Sequence, residues 1–137
     1  MPRTLQSLGV VAIVLGTIAG CPTIGSNRST ANIGGGVTIG GQPIPENAQA
    51  SITFGPTDVG QARSSSSPIT NGKYSATDVP KGKVLVTFNI MQPTGEEKAF
   101  APGARPQMEM RSLVPQAKAN GVEVQIDGNQ TDLNFNL

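Results

Sequence analysis

The chain has 137 residues, with 10 Lys+Arg against 9 Asp+Glu, no His, no Trp and a single Cys, a length that suits one small domain. The lack of His excludes His-based zinc sites, Ser-His-Asp triads and Cys-His nucleophile pairs, and one Cys cannot form an intrachain disulfide. The near-balance of charge argues against a nucleic-acid binder, because such domains are usually strongly basic.

Residues 1–21 read MPRTLQSLGVVAIVLGTIAGC. Arg3 precedes an uncharged run from Leu8 to Ile18, and the small residues Ala19 and Gly20 lead into Cys21. This is the layout of a secretory signal peptide: a charged start, an apolar stretch and a small-residue cleavage site. The apolar run falls short of the roughly twenty residues that a spanning helix needs. Ile18-Ala19-Gly20-Cys21 resembles the lipobox of bacterial lipoproteins. The resemblance implies cleavage between Gly20 and Cys21 and attachment of diacylglycerol to the Cys21 thiol, with acylation of the new N-terminus. Two or more acyl chains hold a protein stably on a bilayer. Position 22 is Pro rather than the Asp that retains many such lipoproteins at the inner membrane, so the resemblance favours the outer membrane.

Residues 1–20 are therefore assigned to the signal, and residues 21–32, polar and without periodicity, to a flexible tether. The remainder, 33–137, is the expected folded domain. From Cys21 onward, Val, Ile, Leu and Phe supply 24 of 117 residues. That is just enough for a core when net charge is absent.

Within 33–137 the pattern is alternation broken by turns. Val37 and Ile39 alternate before Gly40-Gly41; Ala50, Ile52 and Phe54 alternate before Gly55-Pro56. Ser64 to Ser67 reads better as a mobile loop than as an exposed edge strand. Asn71-Gly72 is a hairpin turn, and Val79-Pro80-Lys81-Gly82 is a second turn. Val84, Val86, Phe88 and Ile90 share one face of the clearest strand, which is expected to be central. Residues 92–120, with four prolines and the charges Glu96, Glu97 and Lys98, read as a long loop in which 107–113 offers a short strand. Val122, Val124 and Ile126, then Leu133, Phe135 and Leu137, mark two final strands around the turn Asp127-Gly128-Asn129. Short strands, frequent turns and no helical period predict an all-β sandwich.

The ordered set Gly35-Gly36-Val37-Thr38-Ile39-Gly40-Gly41-Gln42-Pro43-Ile44-Pro45, Asn71-Gly72-Lys73-Tyr74-Ser75 and Val79-Pro80-Lys81-Gly82-Lys83-Val84-Leu85-Val86 resembles carboxypeptidase regulatory-like domains. Ala50 to Phe54 sits where that family has its second strand. Leu113-Val114-Pro115 and the ending Asp132 to Leu137 resemble the C-terminal part of its short bacterial lipoproteins. Leu85 stands where the family often carries an aromatic. The resemblance covers residues 33–137 and implies a single seven-stranded, Ig-like or transthyretin-like β-sandwich. It also implies an accessory or binding module with no catalytic residues and no cofactor. Related transthyretin-like hydrolases of purine breakdown use histidines, so that activity does not carry over.

The candidate site residues each have a plainer alternative. Tyr74, the one Tyr, offers a stacking platform for a glycan, but a buried Tyr that bonds backbone is the commoner arrangement. Asp127, Asn129 and Asp132 offer calcium ligands, yet their spacing is that of an Asx-rich turn. Lys73 or Lys83 with Asn134 or Asn136 would suit an isopeptide crosslink only if buried. Glu96, Glu97 and Glu109 would need a rigid cleft to act as an acid–base pair. No catalytic or metal site is therefore expected. The expected function is a non-catalytic, lipid-anchored envelope module that contacts another envelope component through residues 92–120, with glycan binding and a passive structural role as the alternatives.

Overall fold

The computed structural model describes residues 29–58 and 63–137. The expected signal (residues 1–20), the expected lipidation residue Cys21 and most of the expected tether lie outside them. The strands, in chain order, are β1 (Thr30–Ile39), β2 (Gln42–Pro43), β3 (Gln49–Pro56), β4 (Ser65–Thr70), β5 (Lys73–Pro80), β6 (Gly82–Lys98), β7 (Gln107–Ser112), β8 (Val122–Ile126) and β9 (Phe135–Asn136). One 3₁₀ turn, Gln116–Lys118, lies between β7 and β8.

The strand order is β2-β1-β5-β4-β3-β6-β7, with β8 added to β6 and β9 to β1. The sheet is antiparallel except for β9, which runs parallel to β1, and it curls on itself so that the fold is all-β and sandwich-like. It has nine strands instead of the expected seven: the two-residue β2 carries no alternation of its own to announce it, and the serine run supplies β4. β1 starts at Thr30 and pairs with Pro80 and Val79 of β5. With Ala31 only 3% exposed, the sandwich takes in Thr30 to Asn32, which the sequence reading had placed in the tether.

The alternation read from the sequence becomes the core. β1 contributes Ala31, Ile33 and Val37; β3 contributes Ile52 and Phe54; β6 contributes Val84, Val86 and Ile90. Period-2 side chains point to one face of a strand, and each buried Val, Ile or Phe contributes roughly 1.5–3 kcal/mol relative to exposure. β6 is central, pairing with β3 on one side and with β7 and β8 on the other. β5 departs from strict alternation. Asp78 adopts a left-handed φ of 56°, and the ladder to β1 shifts between Ala31 and Ile33. The extra residue of this bulge brings Val79 inward after Tyr74 and Ala76. Asn71 and Gly72, with φ of 51° and 71°, close the β4–β5 hairpin as expected.

The serine run is a strand, which corrects the expectation of a mobile loop. β4 pairs with β3 from Ser65 to Pro68 and with β5 only at Ile69 and Thr70. Beyond that point β4 and β5 splay apart, and hydroxyls span the gap. Ser67 donates to the Ser75 carbonyl at 2.8 Å and Ser65 to the Thr77 carbonyl at 2.5 Å. Ser66, on the other face, bonds the Thr53 hydroxyl at 3.0 Å. Serine suits a strand that changes partner, because its short donor replaces the ladder bond the backbone no longer makes.

Candidate interaction site

Residues 92–112 form a two-stranded ribbon, not a loop. β3 last pairs with β6 at Met91, opposite Gln49, and β8 takes only Gly82 to Val86. Past Met91 the one strand that pairs with β6 among the described residues is β7, through Gln92↔Arg111, Pro93↔Met110, Glu97↔Met108 and Lys98↔Gln107. The ribbon therefore runs beyond the body of the sheet. The prolines and Gly95 hid it in the sequence, because they fall at a bulge between Pro93 and Glu97 and at the tip. Thr94 ties the bulge down by donating to the Glu109 carbonyl at 3.2 Å.

Cross-strand partners share a face. Met91, Pro93 and Glu97 on β6 thus lie with Met108, Met110 and Ser112 on one face, while Gln92 and Lys98 lie with Gln107, Glu109 and Arg111 on the other. Three of the four methionines of the chain therefore line a single ribbon face. Met108 is 47% exposed, and Phe100, at the tip in the run Ala99-Phe100-Ala101-Pro102-Gly103-Ala104, is 67% exposed. The other three Phe pack with Tyr74. Phe54 and Phe135 lie 5.8 and 6.2 Å from its ring, and Phe88 meets Phe135 edge-on at 5.1 Å. Phe100 alone is left in water. The sequence reading named neither Phe100 nor the Met face. The Met-x-Met spacing at 108–110 was the available signal, and it becomes meaningful only once β7 is seen paired with β6.

The remaining candidates fall into structural places. Tyr74 is 5% exposed and donates its hydroxyl to the Leu133 carbonyl at 2.6 Å. Burial pushes its hydroxyl pKa well above the ordinary tyrosine value. It offers no face to a sugar. Asn129 Oδ1 accepts the Asn32 N–H at 2.9 Å, Asn134 Oδ1 the Gly36 N–H at 2.7 Å, and Asn136 Oδ1 the Gly41 N–H at 2.9 Å. These amides stitch the C-terminal segment to β1 and to the turn that follows it. Asp127 accepts from Gln125 at 3.0 Å. Among the described residues no group of three or more His, Cys, Asp or Glu side chains could hold a metal ion.

Lys83 pairs with Glu123 at 3.3 Å on the outer surface. Lys73, Asp132 and Asn134 share a shallow groove of about 440 Å³ along Gly34, Gly35 and Gly36. All three are solvent-exposed, whereas such a crosslink needs a buried lysine. Glu96 and Glu97 are exposed, and Glu109 pairs with Lys98 at 3.4 Å. A second cavity of about 230 Å³ lies between Ile44, Pro45, Glu46 and the Asn71-Gly72 turn. Among the described residues no helix is long and apolar enough to cross a membrane.

Compared with known proteins, the chain matches no family model, no curated protein and no solved structure.

Proposed function

We propose that the protein is a non-catalytic, lipid-anchored module of the bacterial cell envelope, held to the outer membrane through Cys21, with a carboxypeptidase regulatory-like domain that docks another envelope component, most simply a protein. One observation carries the docking part of this reading: a ribbon projects beyond the sheet with Phe100 and Met108 exposed. A small domain with a limited apolar supply gains nothing in stability from a Phe held in water, and flexible Met side chains suit a surface that adapts to a partner. The exposed, unclustered carboxylates support a non-catalytic role. The burial of Tyr74 favours a protein partner over a glycan, which would need aromatic platforms. The anchor rests on the sequence at Ile18 to Cys21.

The test is affinity capture from crosslinked envelopes with the full-length protein, a Cys21→Ser form, and a form in which residues 93–110 are replaced by Asn-Gly. The replacement closes a hairpin at the existing Gln92↔Arg111 pair, whose backbone groups face each other. One stoichiometric partner, lost with the trimmed ribbon while thermal unfolding is unchanged, supports the reading. Retention by the trimmed form refutes ribbon docking. A Cys21→Ser protein that still fractionates with membranes refutes the lipid anchor.

A further inference from the structure

The two long edges of the ribbon differ. The β6 edge carries Pro93 and the bulge at Thr94, Gly95 and Glu96, devices that block pairing with another strand. The β7 edge carries none of these: Gln107–Ser112 has no Pro, no Gly and no bulge of its own. Among the described residues, β6 is the one strand that pairs with it.

The parity of that edge follows from two bonds. The Leu113 N–H donates to the Ile90 carbonyl at 2.9 Å, and the Glu109 carbonyl faces Thr94. Odd-numbered residues of β7 therefore turn their backbone groups towards β6. Alternation turns the N–H and C=O of Met108, Met110 and Ser112 outward and leaves them unpaired.

We propose that β7 pairs antiparallel with β7 of a second copy of this chain, in the register that places Met110 opposite Met110. The outward parity allows only registers that set even residues opposite even residues. Centring on Glu109 or on Arg111 puts like charges directly opposite across the two-fold axis, which is destabilising. Centring on Met110 sets Glu109 of each copy opposite Arg111 of the other, twice by symmetry. In this register Met110 exchanges both backbone bonds with its counterpart, and Met108 does so with Ser112 of the second copy. Glu109 and Arg111 then fall in the non-hydrogen-bonded pair, where side chains approach most closely. Met108 and Met110 of the two ribbons then lie on one shared face, with Met110 against Met110 at its centre. An isologous contact of this kind uses the β7 edge of both copies, so it closes as a dimer and does not propagate through that edge. This proposal is independent of the lipid anchor and of the envelope partner, since it uses the edge of the ribbon rather than its tip.

The test is sedimentation velocity of the full-length chain in mild detergent at concentrations up to about 200 μM, because an edge contact is smaller than a standard interface and associates reversibly. The wild type is expected to dimerise. Glu109→Lys and Arg111→Glu are each expected to weaken dimerisation about tenfold, and the double exchange to restore it. A monomer throughout, or single exchanges as tight as wild type, or a double exchange that fails to restore, overturns the proposal. In a Cys21→Ser background, Met110→Cys is expected to oxidise to a disulfide dimer and Met108→Cys is not, since only residue 110 faces itself across the axis. Equal or reversed yields overturn the register.

Discussion

Gly35 of β1 lies against the backbone carbonyl of Leu133, so closely that a Cβ at position 35 would run into that carbonyl and its own carbon. The contact lets the C-terminal segment pack down onto β1. From there Gln130 accepts the Gly34 N–H at 2.7 Å and the Leu133 N–H reaches the Gly34 carbonyl at 3.1 Å.

Gly35→Ala is therefore expected to destabilise the domain by roughly 1–3 kcal/mol, because the obstacle is backbone and cannot rotate away. At the usual scaling for a domain of this size, each 1 kcal/mol lowers Tm by about 4–8 °C. Gly34→Ala, whose new methyl meets the Tyr74 carbonyl at an ordinary 3.4 Å, is expected to cost far less. Thermal unfolding of the two variants checks this, and equal shifts would contradict it.

Tyr74 gives the chain an alkaline sensitivity. Its hydroxyl pKa is raised by burial, so the folded state keeps the proton at a pH where the unfolded state has lost it. Stability from this group is complete below the ordinary tyrosine pKa and falls as pH rises above about 10. Tyr74→Phe is expected to cost roughly 1 kcal/mol at neutral pH, by leaving the Leu133 carbonyl without its donor, and to flatten the alkaline slope. Denaturant titrations of both proteins between neutral pH and pH 11 supply the comparison. An unchanged slope in the Phe variant would refute the assignment.

Ser67 and Ser66 are neighbours in one strand with unequal duties. Ser67 is 4% exposed and bridges to β5, whereas Ser66 is solvent-exposed. Ser67→Ala is expected to cost roughly 1 kcal/mol and Ser66→Ala less than about half of that. Chemical denaturation midpoints at constant m decide it.

Phe100→Ser combined with Met108→Ser is expected to leave stability within about 0.5 kcal/mol, as for other exposed positions. It is expected to remove partner capture. Loss of capture with a matching loss of stability would point to unfolding rather than to a docking surface.

The local grammar of the sandwich was legible in the sequence. Val84 to Ile90 alternate because side chains on a strand point to opposite faces, and Asn71-Gly72 turns because both residues tolerate positive φ. The serine run and the ribbon were not legible. Whether Ser64 to Ser67 is loop or strand depends on Ser51 to Phe54 of β3 lying beside it, and whether residues 92–98 continue β6 depends on β7 returning beside them.

The sequence by itself determined the all-β character of the described residues and the absence of histidine, with a single cysteine at the end of an N-terminal apolar run. Tertiary structure alone decided that Tyr74 is capped by Leu133, that β9 lies parallel to β1, and that Phe100 stays outside the aromatic cluster. The physical reason is range. Alternation and turn chemistry act over a few residues, whereas Asn32 meets Asn129 across a separation of 97 positions, and only the closed fold determines which distant backbone group each short polar side chain reaches.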